Sequence, residues 1–369
     1  MLEVADVLRQ YGDSYLQKFG PQMLPSHRRA WADIVQCRTP AMGGHVYQCD
    51  HCGHLQFAYH SCRNRHCPKC QGEQTDSWLE KRRQELLATP YFHLVFTLPA
   101  ELRPLVRQHQ KTLYGILMKA AAHSLMKLAA DPRYVGGKLA ILAVLHTWTR
   151  TMGYHPHAHL LVAAGGLTDD GYWVRARRDY LVPVGALSVI FRAVFLKMAR
   201  QALPTKTIPK VPWGKSWWID CRSTVQGPER VLQYLARYLH KIAFSNSRLI
   251  SLDNGNVTFR YQKSGQRTWN VMTLPAEEFI RRFLQHVLPK AMHKVRYYGI
   301  WNPANRDLLR RAQLLLGTSQ LPAALYDEPQ EPGDVVTDGS REKQKTCPRC
   351  HLGKLVLIEI IPRQPRAPP

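Results

Sequence analysis

Two short runs hold the residues best suited to phosphodiester chemistry. In His155-Pro156-His157-Ala158-His159-Leu160-Leu161-Val162, His157 and His159 stand two apart in an apolar run. Side chains at i and i+2 share one face of a strand. About 75 residues further on, Tyr234-Leu235-Ala236-Arg237-Tyr238-Leu239-His240-Lys241 sets two phenols four apart, which makes them neighbours on a helix. Imidazoles at a core edge need partners, and a divalent cation supplies one. A phenol titrates near ~10 and is a weak nucleophile at neutral pH. Arg237, His240 and Lys241 surround the pair with positive charge, and a metal polarising a phosphate would complete the activation. Such a site would cut a phosphodiester, keep the end as a phosphotyrosine, and rejoin strands by transesterification without ATP. Two tyrosines permit two exchanges in one site.

Each pair alone has a plainer reading. A His-x-His pair can be half-buried polar residues on a strand, and two tyrosines one turn apart can be a core stripe. The cations clustered around the tyrosines are what a core stripe would not need. A third protein ligand is expected for the metal: His146, on the preceding strand, is the first candidate and Gln233 the second. His155 precedes Pro156, which breaks the strand register, so it reads as a loop residue or a support for a ligand.

Six of the nine cysteines fall between Cys37 and Cys70. Cys49-x-x-Cys52 and Cys67-x-x-Cys70, fourteen residues apart, are spaced like the two knuckles of a ribbon around one tetrahedral zinc. Gly53 and Pro68 suit the tight turns. Cys37, Cys62 and His66 are further ligand-capable residues, either spare or part of a second zinc site. Arg63, Arg65 and Lys69 beside them suit phosphate contacts. Cys347-Pro348-Arg349-Cys350 with His351 is half a site: a degenerate knuckle, or the completion of a site whose other ligands are distant.

The elements that must position these residues follow from the hydropathy pattern. Two helices are expected over 1–36, with Ser26 as an N-cap, and an amphipathic helix over 73–88. Strands are expected over 91–98, 139–148 and 157–164, the last two as an antiparallel pair. Helices are expected over 101–130, 183–203 and 275–288, and one over 228–243 bearing the tyrosines. Residues 217–221 suggest another strand and 204–214 a loop. Asn254-Gly255 and Ser264-Gly265 are signals of a β-meander. A linker over 317–345 and a small cysteine-bearing tail follow. This gives an expected helical and zinc-binding domain over 1–88, a catalytic domain over 89–305, and a helix, linker and tail over 306–369.

Lys and Arg number 51 against 27 acids, a net charge of +24, spread along the chain. A polyanion such as nucleic acid is the natural partner of such a surface. No run approaches the ~20 apolar residues of a membrane span, and the first residues lack the layout of a signal peptide. The expectation is a cytoplasmic, nucleoid-associated protein whose cysteines bind metal rather than form disulfides.

Taken together these residues resemble a known family. His157-Ala158-His159 is similar to the HUH signature, and Tyr234-x-x-x-Tyr238 to the two-tyrosine motif of its rolling-circle branch. The block from Cys37 to Cys70 resembles the zinc-binding domain of insertion sequence 91 family transposases. The runs Glu278 to Pro289 and Arg296-Tyr297-Tyr298-Gly299 are also similar to that family, and the likeness extends over about residues 10 to 305. It implies an α+β HUH endonuclease fold, a central antiparallel sheet flanked by helices, behind a small helical zinc-ribbon domain. It implies a DNA transposase that nicks single-stranded DNA at the transposon end, forms a 5′-phosphotyrosine through Tyr234 or Tyr238, and moves the element by a rolling-circle route. Arg237 and Lys241, with Arg63, Arg65 and Lys69, are the candidate DNA contacts. Ala158 is smaller than the bulky residue usual between the histidines.

Structural zinc is thus the expected first cofactor. Imidazole ligation favours Mn²⁺ or another transition ion over Mg²⁺ for the catalytic ion, and the resemblance implies that Mg²⁺ also serves. The expected partners are single-stranded DNA at the transposon ends and target DNA, with a host helicase a further candidate; no P-loop motif is evident. The alternatives are a rolling-circle replication initiator or relaxase with the same chemistry, and a non-catalytic zinc-dependent DNA-binding protein. A carboxylate-triad nuclease ranks last, because no paired acidic motif is evident.

Overall fold

The structure is a computed structural model, and it describes residues 2–70, 82–211, 217–223, 242–263, 266, 268–317 and 345–365. The protein is α+β and divides into two compact units, Met1–Arg28 with Gln71–Ser319, and Arg29–Cys70 with Gln320–Pro369.

The smaller unit is built on a three-stranded antiparallel sheet, β1 (Gly44–Cys49) between β2 (Leu55–Tyr59) and β12 (Leu355–Ile361). In register, Gly44 faces both Tyr59 and Ile361, and Cys49 faces Leu355. The C-terminal segment is thus an integral strand of the cysteine-rich unit.

The larger unit holds the main sheet: β3 (Tyr91–Thr97), β4 (Lys138–Trp148), β5 (Tyr154–Leu167), β6 (Trp173–Arg175), β7 (Ile219–Ser223) and β11 (Val295–Gly299). Its order is β11-β4-β5-β3-β7, every pairing antiparallel, with β6 on the far end of β5. On one face Phe92, Leu94 and Phe96 join Ile141, Ala143, Leu145, Ala158, Leu160 and Val162 under the helices Gln110–Ala129 and Val184–Ala202. On the other, Tyr91, Ala140, Leu142, Val144, Leu161 and Ala163 pack with Leu86, Leu87, Trp301, Leu309 and Ala312. Both faces are covered, which is why 139–145 reads as an unbroken apolar run rather than an alternating one. Each fully buried leucine or phenylalanine here contributes about 1.5–3 kcal/mol.

A second antiparallel sheet is the expected meander, β8 (Leu249–Asp253), β9 (Asn256–Gln262) and β10 (Trp269–Pro275). Asn254 and Gly255 both take positive φ, 47° and 78°, the conformation that a two-residue type I′ turn requires. Ser264-Gly265 lies outside the described residues. Phe259 packs edge-to-face on Phe244 and tilts against Phe279 of the helix Ala276–Leu284.

Several boundaries differ from expectation for identifiable reasons. Three helices, not two, fill the first 36 residues: Val4–Gln10, Gly12–Phe19 and Pro25–Gln36. The third begins at Pro25 rather than after Ser26, since a proline suits a first helical turn. The chain does not divide at 88. Val4 donates its backbone N–H to Asn246 Oδ1 at 3.0 Å, and Lys18 pairs with Glu277 at 2.8 Å, so residues up to Arg28 group with the larger unit. The helix Arg306–Leu315 groups there too, through buried Leu309 and Ala312. The helix expected over 73–88 lies mostly outside the described residues, as do the tyrosine helix and nearly all of the linker.

Candidate metal centres and active site

The alternation of β5 puts His157 and His159 on the sheet face opposite Ala158 and Leu160. His146 of β4 pairs directly with His157, and Val144 with His159, so the three imidazoles meet at one end of an otherwise apolar strip. One ring nitrogen from each of His146, His157 and His159 lies within 4.8 Å of the others. His146 is almost fully buried, and its ring stacks on Trp148 at 4.5 Å. The expected metal ligands are therefore brought together, His146 included.

Hydrogen bonds fix what these rings can offer. His157 Nδ1 lies 2.7 Å from the carbonyl of His155. A carbonyl only accepts, so Nδ1 carries the proton and Nε2 the lone pair, the form that ligates a metal. His155 is the opposite case. The Arg103 guanidinium, which can only donate, sits 2.8 Å from His155 Nδ1, so in the neutral ring the remaining proton is on Nε2 and no lone pair remains there. Burial first, and the Arg103 charge second, lower the pKa of His155 and keep it neutral. The strand runs straight through Pro156, against the expectation of a loop. A role supporting the ligands fits the carbonyl that His155 gives to His157.

One residue at this centre had not been singled out. His93 of β3 lies beside His159, its Nε2 2.8 Å from His159 Nδ1 and the two rings nearly parallel at 6°. Burial lowers the pKa of His93 to about 4, partly offset by nearby Asp220. A neutral His93 accepting from His159 Nδ1–H would leave the His159 lone pair on Nε2, matching His157.

In the smaller unit the thiols form two groups, each with all sulfurs within 4.8 Å: Cys37, Cys62, Cys67 and Cys70, and Cys49, Cys52, Cys347 and Cys350. The expected quartet of Cys49, Cys52, Cys67 and Cys70 does not form, because β1–β12 pairing brings the distant knuckle to Cys49 instead. Cys37 and Cys62 are not spare. In the first group, Cys70 Sγ lies 3.5 Å from Cys37 Sγ and 3.6 Å from Cys62 Sγ. A disulfide would need about 2.05 Å. Tetrahedral zinc with Zn–S near 2.3 Å needs sulfurs about 3.8 Å apart, so the donor set fits that ion. His66 takes no part in either group; it lies 3.3 Å from Arg65 Nε through its own Nε2.

Arg63 is exposed, whereas Arg65 and Lys69 are half-buried, and Lys69 Nζ donates to the Cys37 carbonyl at 3.4 Å. Tyr234, Tyr238, Arg237, Lys241, His240 and Gln233 all lie outside the described residues.

The sequence places this chain among relatives. Residues 140–307 match the family model described as "Putative transposase", and residues 7–98 match the IS91 "Transposase zinc-binding domain". The chain is 39% identical over 380 residues to "Putative transposase y4qJ" of Sinorhizobium fredii (strain NBRC 101917 / NGR234), across 97% of this chain and 95% of that one. It is 30% identical over 285 residues to the "Transposase for insertion sequence element IS801" of Pseudomonas savastanoi pv. phaseolicola, across 72% of this chain and 68% of that one.

The chain belongs to the IS91 family of transposases.

No solved structure matches the transposase. As a transposase it acts on DNA, and its cysteine-rich block is a zinc-binding domain. His146, His157 and His159 fall inside the first matched span and Cys37 to Cys70 inside the second. Cys347 and Cys350 fall outside both. Among the described residues, no helix is long and apolar enough to cross a membrane.

Proposed function

We propose that this transposase nicks and joins single-stranded DNA at the ends of its element through a 5′-phosphotyrosine, in a rolling-circle route. The observation that carries the reading is the convergence of His146, His157 and His159 on one face of the main sheet. His157 is held in the tautomer that leaves Nε2 with a lone pair, and His159 has the same option through His93. Three neutral imidazoles suit Mn²⁺, and Mg²⁺ if phosphate and water oxygens complete its shell. When bound, the ion would polarise the scissile phosphate and offset charge building on its oxygens.

In this reading the chain supplies the nucleophile from Tyr234 or Tyr238. The phenol oxygen forms a bond to phosphorus as the P–O3′ bond breaks. The proton lost by the phenol is balanced by one taken up at the departing 3′ oxygen. The DNA leaves with a free 3′-OH, while its 5′ phosphate stays on the enzyme as a diester. Attack by another 3′-OH reverses the exchange, and the second tyrosine allows a second cut. Arg237 and Lys241 flank the phenols in sequence and would lower the cost of a phenolate. Arg63, Arg65 and Lys69 are proposed as DNA contacts, with exposed Arg63 the best placed.

The test is incubation of the full chain with end-derived oligonucleotides and Mn²⁺, followed by a search for an SDS-resistant protein–DNA complex. The expected complex forms on single strands only. It is lost in a Tyr234→Phe, Tyr238→Phe double variant. Adduct formation by that variant sinks the assignment of the nucleophile.

A further inference from the structure

We propose that Cys49, Cys52, Cys347 and Cys350 hold a zinc ion of their own, so that segments almost 300 residues apart in sequence close one zinc ribbon. The sulfurs pair across the two knuckles, Cys49 with Cys350 at 3.7 Å and Cys52 with Cys347 at 3.8 Å. Those separations are the edges of a tetrahedron around an ion with Zn–S near ~2.3 Å, and almost twice a disulfide length of about 2.05 Å.

The backbone around the four sulfurs repeats itself. Cys49 donates its N–H to the His54 carbonyl at 2.9 Å, and Cys347 donates to the Gly353 carbonyl at 2.8 Å. Within each knuckle backbone N–H groups point at sulfur: Cys52 N to Cys49 Sγ at 3.5 Å, Arg349 N to Cys347 Sγ at 3.4 Å, and Gly353 N to Cys350 Sγ at 3.4 Å. Such donors stabilise thiolates rather than thiols. Each knuckle closes through one residue at positive φ, Gly53 at 68° and His351 at 57°.

Two contacts lock the knuckles together. Asp50 N–H donates to the Lys354 carbonyl at 3.1 Å, and Lys354 N–H returns a bond to Asp50 Oδ1 at 2.8 Å. Gly353 passes so close to the first knuckle that a Cβ there would sit 2.5 Å from Cys49 Sγ and 2.6 Å from Asp50 Oδ1. Only glycine fits. Four thiolates this close repel one another, and a divalent cation is what makes them compatible. Cys52 is exposed, so without an ion its thiol would be open to reagents.

The measurement is zinc per chain by native mass spectrometry on the full-length protein. Two ions are expected. One ion is expected after Cys347→Ser with Cys350→Ser, one after Cys49→Ser with Cys52→Ser, and still one when all four are changed, because both pairs serve the same ion. A wild-type chain with a single zinc, or retention of two by the Cys347→Ser, Cys350→Ser variant, overturns the proposal. Iron in place of zinc overturns the choice of ion. Thiol alkylation of the wild-type protein guards against variants that fail to fold. Cys49, Cys52, Cys347 and Cys350 should become reactive together as a zinc chelator is titrated in. Alkylation of Cys347 and Cys350 while Cys49 and Cys52 stay protected also overturns it.

Discussion

His157 of β5 lies directly across the sheet from His146 of β4, their rings perpendicular with centroids 5.5 Å apart. Edge-on rings at that spacing aim nitrogens at a common point rather than stacking them out of reach. The pairing register alone brings three imidazoles from two strands together.

Metal binding should therefore depend on the cross-strand pair. Saturating Mn²⁺ stabilises a protein that binds it by about 2.7 kcal/mol at one hundred times Kd. A rise in Tm is expected for the wild type and a loss of most of that rise for His157→Ala and for His146→Ala. DNA binding measured at low salt should survive both changes. An unchanged Mn²⁺ response in His157→Ala would remove the metal role.

His93 and His155 both touch the three-histidine cluster but should behave differently. His93 is positioned to hold the tautomer of His159 through a 2.8 Å contact, and losing such a support costs about 10–100-fold in metal affinity. His93→Phe should show that loss by isothermal titration. His155→Phe should show little, because what His155 gives His157 is its backbone carbonyl, which the substitution keeps. Equal losses in both variants would mean that the region simply loosens.

Acid should unfold the larger unit partly through His286. Its Nε2–H donates to the Met152 carbonyl at 3.0 Å, its Nδ1 accepts from Thr147 Oγ1 at 3.1 Å, and burial lowers its pKa from 6.5 to about 3. Below the unfolded value the unfolded chain binds a proton that the folded chain refuses. The contribution is therefore full above about pH 6.5 and is lost as the pH falls towards about 3, at up to ~1.4 kcal/mol per pH unit. Urea midpoints between pH 6.5 and 4 should fall with that added slope, and His286→Gln should flatten it.

Chelation should act on the smaller unit selectively. Its fold rests on thiolate ligands, and binding free energy at such sites is folding free energy. Treatment with a strong zinc chelator should open Arg38, Arg63 and Arg349 to trypsin. The main sheet, whose core is hydrocarbon, should resist cleavage at unchanged rates.

How much of this could be read in the sequence differs from residue to residue. His157 and His159 were legible because a period of two in an apolar run fixes a shared face. His146 was legible as a neighbour on the preceding strand. His93 was not, since its place beside His159 depends on the β3–β5 register across 66 residues. The CxxC spacing marked Cys49, Cys52, Cys67 and Cys70 as ligands, but local spacing does not say which knuckles meet. That choice is made by β1 pairing with β12 and by the Cys37 end of the helix Pro25–Gln36 meeting Cys62. Most strands followed from pattern, and the α+β class from the family resemblance. The short β6 did not, because Trp173–Arg175 is too brief to show alternation.

The β1–β12 pairing also sets a schedule for synthesis. β1 leaves the ribosome about 300 residues before its partner strand, a gap of roughly 15–60 s at ~5–20 residues per second. For that interval one edge of β1, with apolar Val46 and Tyr47, has no native strand beside it. An unpaired edge is a template for wrong partners. A nascent transposase therefore carries that open edge until residues 355–361 have been made, and a chain released before β12 never closes it.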